Sequence, residues 1–149
     1  MEESLTEAIR DQFDLHPQDA SEYSPLVLAW IGDVVYELTL RTILVSGGNR
    51  QVDKLNRADS ALARAGAQSA MVDVLLPLMS EEEQNIYKRG RNAHSYTKAK
   101  SATVGEYRRA TGFEAVIGYL YLNGEYRRME ELIAAGIEGL KAGKTDEQG

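Results

Sequence analysis

Residues 24–46 read SPLVLAWIGDVVYELTLRTILVS, and the fold class turns on them. Ser24 followed by Pro25 is a helix start, because the serine can take up a free backbone amide and proline fits the first turn. Gly47 and Gly48 stop the helix at about Ser46. The run is apolar almost throughout, yet Asp33 stands near its middle. With Glu37 and Arg41, that acid also makes the run a poor membrane span.

Helical period dominates on both sides, with no convincing strand alternation, so the chain reads as all-α. Residues 4 to 13 suit a short helix. The alanine-rich stretch VDKLNRADSALARAGAQSAMVDVLL, residues 52–76, predicts one long helix or two abutting ones up to Pro77. Ser80 with Glu83 and Thr103 with Glu106 have capping-box spacing and start two more. The first ends near Gly90 and the second, VGEYRRATGFEAVIGYLYL, at Asn123 and Gly124. Residues 91–102 read as a loop. A last amphipathic helix covers residues 125–143, and 144–149 read as a disordered polar tail.

The 149 residues, 43% hydrophobic and 27% charged, suit one domain, residues 1–143 with a core of about 24–140. There are no cysteines, so disulfides and thiolate metal sites are excluded. The acidic N-terminus has no apolar core like a signal peptide's, and the expected location is cytoplasmic. Net charge is −6, which argues against a protein that coats nucleic acid. Its distribution is uneven. Residues 88–109, KRGRNAHSYTKAKSATVGEYRR, hold seven Lys or Arg against one acid, Glu106.

Asp33 is not the only misplaced carboxylate, since Glu114 sits in TGFEAVIGYLYL, also among apolar and small residues. Each needs a basic partner, a raised pKa or a metal. Asp33 could lie at the solvent edge beside an ordinary Glu37–Arg41 pair, and Glu114 could pair with Arg108 or Arg109. Alternatively the two converge, with Ala29, Gly32, Gly112 and Gly118 allowing a close approach. They would then supply hard oxygen ligands for Mg²⁺, with the basic segment as the place for phosphate. An acid pair beside a basic loop points to phosphodiester chemistry.

At these residues the chain resembles the ribonuclease III catalytic domain, and within it the stand-alone Mini-III form. The family signature ending in a Leu-Gly-Asp-like turn is matched by AWIGDVVYE around Asp33. Its later Phe-Glu-Ala element is matched by GFEAVIGYLYL around Glu114, and its Gly-containing basic loop by YKRGRNAHS. Larger relatives carry a Glu four residues before the signature Asp and an Asp three before the later Glu. This chain has Ala29 and Thr111 there, as Mini-III proteins do, and the resemblance implies no double-stranded-RNA-binding domain.

The resemblance implies a Mg²⁺-dependent endonuclease for double-stranded RNA, a homodimer that trims 23S ribosomal precursor stems and leaves 5′-phosphates. It gives Asp33 and Glu114 the roles of metal ligands and catalytic acids. Lys88, Arg89, Arg91, Lys98 and Lys100 would contact phosphates, with Asn92 and Ser95 adding hydrogen bonds. Binding should weaken steeply with salt and call for a ribosomal protein or assembly factor. FEAVIGYLYL, greasy over more than one face, is the expected dimer helix. Trp30 and Tyr36 read as core aromatics, Glu37 as the partner of Arg41 in preference to a place in the metal's outer shell, and His94 as incidental. The rival readings are a non-catalytic RNA-binding module of the same fold and a helical protein-interaction domain.

Overall fold

The computed structural model describes residues 3–93 and 102–148, with side chains as far as residue 143. Helix α1, Leu5–Gln12, opens on Ser4, whose hydroxyl accepts from the Glu7 amide at 3.1 Å. Ser24 does the same for α2, Pro25–Ser46, accepting from Val27 at 3.3 Å. The alanine-rich stretch forms two helices, α3, Val52–Ala63, and α4, Ala65–Leu75, with Arg64 in extended backbone between them. Carbonyls freed at that break find side-chain donors. Tyr36 donates to Leu62 O at 2.7 Å, and Gln68 Nε2 donates to Ala63 O at 2.8 Å.

Both capping boxes form. Ser80 and Glu83 close α5, Glu81–Asn92, and Thr103 and Glu106 close α6, Val104–Leu122. Glu83 also receives a two-pronged contact from Arg128, at 2.8 and 3.0 Å, which ties α5 to α7, Tyr126–Gln148. That helix continues into 144–148, where the sequence suggests a disordered tail; the side chains of that tail lie outside the described residues. The turn before α7 uses Gly124 at φ 75°.

Helix α6 is the axis of the bundle. It packs against α2, α4 and α5, and α7 covers α4. Phe113, Ala115, Val116, Ile117, Tyr119 and Leu120 are all buried, so residues on every side of this helix meet the chain itself. This corrects the expectation that α6 keeps a greasy face for a second subunit. Among the described residues an exposed apolar face lies on α2, where Val27, Trp30, Val34 and Leu38 are exposed. Trp30, at 77% exposure, is therefore not a core aromatic, whereas Tyr36 is fully buried and meets Phe113 edge-on at 5.1 Å.

Candidate active site

Helices α2 and α6 touch through their backbones. A Cβ added at Gly32 would overlap the carbonyl of Glu114, and one added at Gly118 would overlap the carbonyl of Leu28. No side chain separates the helices there, so the residue after Gly32 and the residue beneath it face each other. The side chains of Glu114 and Asp33 come within interaction range of each other, and Asp33 is among the groups that raise the Glu114 pKa.

The electrostatics follow from that contact. Burial pushes the Glu114 pKa up to about 9, with Asp33, and then Glu37, adding to the rise. No basic group offsets it among these causes. Arg109, one of the two expected partners, points elsewhere: it donates to Ser69 Oγ at 2.9 Å, Ser69 O at 2.8 Å and Asp73 Oδ1 at 2.6 Å. Among the described residues no cation is set against this pair of hard carboxylates, an arrangement a divalent metal ion fits. Among the described residues no group of three or more His, Cys, Asp or Glu side chains forms a metal cage. Two ligands suit Mg²⁺, which keeps several waters.

The ribonuclease III domain family matches residues 26–125. A Mini-ribonuclease 3 from Clostridium tetani is 46% identical over 117 residues, 78% of each chain. One from Thermoanaerobacter is 41% identical over 93% of this chain and 97% of its own, and one from Enterococcus faecalis 42% over 88% and 99%. The chain belongs to the Mini-ribonuclease 3 family. A crystal structure of a Fusobacterium nucleatum protein superposes with a TM-score of 0.73 at 32% identity, covering 83% of this chain and 98% of that one.

Membership places the chain among ribonucleases and makes RNA its substrate class. The two positions where larger ribonuclease III enzymes carry extra acids are closed by packing. Ala29 and Thr111 are buried at 8% and 7% exposure, and Thr111 Oγ1 donates to Tyr107 O at 3.0 Å. Of the expected RNA-binding residues, Lys88, Arg89 and Asn92 are exposed at the C-terminal end of α5. Arg91 is held, lying over the Tyr87 ring at 5.7 Å and donating to Asn92 Oδ1 at 3.3 Å. Ser95, Lys98 and Lys100, like His94, lie outside the described residues.

Two further features of the chain lie beside the acid pair. Arg57 and Arg64 line an open concavity with Asn56 and Ser60, and Lys54 is exposed a turn earlier, so α3 presents a basic face. The spacing of Arg57 and Arg64, two turns apart, signals it. Glu37 does pair with Arg41, Nε to Oε2 at 3.3 Å. It also meets Asp59 of α3: burial first, then Asp59, pushes Glu37 up to about 6 against the opposing pull of Arg41. An isolated acid between Ala58 and Ser60 carries the same signal as Asp33 and Glu114.

Proposed function

We propose that this chain is a Mg²⁺-dependent endonuclease for double-stranded RNA that works as a homodimer. Its substrate is the paired stems flanking precursor 23S ribosomal RNA, its products carry 5′-phosphates, and its place is the cytoplasm. The observation that carries the reading is the meeting of Asp33 and Glu114, without a basic partner among the described residues, in a chain of this family. Mg²⁺ held by these two acids would polarise the scissile phosphate, lower the pKa of an attacking water and stabilise the leaving 3′ oxygen.

The chain's own residues do the rest. Glu114 gives up its proton to become a ligand, while exposed Asp33 faces the side from which RNA arrives. Lys88 and Arg89 take phosphates, with Asn92 beside them for a 2′-OH, and Lys54, Arg57 and Arg64 extend the basic track along α3. Ser95, Lys98 and Lys100 belong to the same set by their place in the sequence. A-form RNA hides its base edges in a deep, narrow groove, so recognition rests on shape and backbone. At a net charge of −6, affinity depends on these few contacts, and a ribosomal protein or assembly factor supplies the remainder. The apolar face of α2 is the dimer surface in this reading.

The test is cleavage of a long duplex RNA with Mg²⁺ by the wild type and by Asp33→Asn. Cutting by the wild type alone is expected, with Ca²⁺ supporting binding and no cutting. Failure on every duplex, ribosomal precursor stems included, would refute the proposal. A second reading, a non-catalytic RNA-binding module of the same fold, is favoured by the apolar packing of Ala29 and by Thr111, and that failure would leave it standing.

A further inference from the structure

Helices α2 and α3 meet beside the Asp33–Glu114 pair, and their seam holds a second pair of acids, Glu37 and Asp59. Asp59 is only 6% exposed. Its carboxylate lies within interaction range of that of Glu37, and its Oδ1 is buried with no hydrogen-bond partner among the described residues. A buried carboxylate oxygen that meets neither a donor nor a cation is costly, and native proteins keep few of them. Arg41 does not resolve it, since its guanidinium is spent on Glu37 and is 66% exposed.

Space and a third oxygen are at hand. A cavity of about 150 Å³ lies beside Asp59, lined also by Arg41 and Asn56 and by the aliphatic Leu44, Val45, Val52 and Leu55. Asn56 precedes Asp59 by three residues on α3, so the two side chains share a helix face. Its amide oxygen is a hard ligand of the same kind as a carboxylate.

We propose that Glu37, Asp59 and Asn56 form a binding site for a hard divalent cation, Mg²⁺ or Mn²⁺, separate from the Asp33–Glu114 pair. The cation takes the orphaned Oδ1 as a ligand and joins the two acids, and the cavity holds its water ligands. With neither thiolate nor imidazole in the set, the site disfavours Zn²⁺. Arg41 yields at small cost, because an exposed ion pair contributes little. Glu37 lies one turn beyond Asp33 on α2, as Ala29 lies one turn before it. The chain therefore lacks a carboxylate on one side of the catalytic acid and carries a cation-binding one on the other.

The inference does not require that the chain cut RNA, and its test separates the two. Mn²⁺ bound to the full-length protein is counted by electron paramagnetic resonance in the wild type, Asp33→Asn, Asp59→Asn and the double variant. The expected counts are two, one, one and none. Glu37→Gln serves as a second variant on another helix, with the same expected loss, and circular dichroism verifies that each variant is folded. Wild-type stoichiometry in both Asp59→Asn and Glu37→Gln would overturn the site. A single Mn²⁺, lost in Asp33→Asn alone, would overturn it and leave the nuclease reading intact. A single Mn²⁺ lost only in Asp59→Asn would do the reverse, and no bound Mn²⁺ would overturn both.

Discussion

Gly32 of α2 rests on the backbone carbonyl of Glu114 of α6, so the contact that joins the two helices also brings their acids together. Gly32→Ala must force the backbones apart. Overpacking costs about 1–3 kcal/mol and sometimes more; here the obstacle is backbone, so the upper end is expected. Urea denaturation should show a lower midpoint, and cleavage should fall further than the stability loss explains, because the acid pair opens. Gly105→Ala is the control. Nothing lies within 4 Å of a Cβ added there, and alanine in place of a helical glycine should stabilise by up to about 1 kcal/mol. Equal effects of the two substitutions would refute the role given to Gly32.

What was legible in the sequence was what is local. Ser24, Ser80 and Thr103 marked helix starts because a cap needs only its own first turn. The break at Arg64 has no local mark, because its cost is met from elsewhere in the fold, by Tyr36 and Gln68. The exposure of Trp30 is hidden for a related reason. Helix α2 is apolar on both faces, and periodicity cannot say which one the core takes. The approach of Asp33 to Glu114 was suggested by small neighbours and by resemblance. Asp59 stands among small residues as Asp33 and Glu114 do, but its burial exists only once α3 docks on α2.

Glu114 makes metal-free stability depend on pH. Its pKa is about 9 in the folded chain against an ordinary value of 4.5, so between those limits the folded state holds the extra proton. The contribution is complete below 4.5 and is lost as pH rises through about 9. Thermal melting in EDTA should therefore show falling stability from pH 5 to pH 9, and Glu114→Gln should flatten this part of the profile. Because the ligand form is ionised, Mg²⁺ binding releases a proton and tightens with pH over the same window. A wild-type profile identical to that of Glu114→Gln would refute the assignment.

The exposed face of α2 gives a prediction about assembly. Trp30 is 77% exposed, so Trp30→Ser removes little from the subunit's own core, and its stability should change by no more than about 0.5 kcal/mol. If this face joins two copies, light scattering coupled to size exclusion should show the wild type as a dimer and Trp30→Ser shifted towards monomer, with unchanged circular dichroism. A variant as dimeric as the wild type would move the interface off α2.

Salt dependence tells phosphate contacts from bystanders. Each contact contributes about 0.9 to the slope of log K against log salt. Lys88 and Arg89 are exposed at the end of α5, so their double alanine variant should flatten the slope by about two and weaken all duplex sequences alike. Arg91 lies over Tyr87 and bonds Asn92, so Arg91→Ala should change the slope less than either neighbour does. On the other flank, Arg57→Ala with Arg64→Ala tests whether the RNA also runs along α3. Binding is best followed by fluorescence anisotropy with Ca²⁺ in place of Mg²⁺, so that the duplex survives the titration. An unchanged slope in the α3 variant, beside a reduced one in the α5 variant, would confine the RNA path to the α5 side of the acid pair.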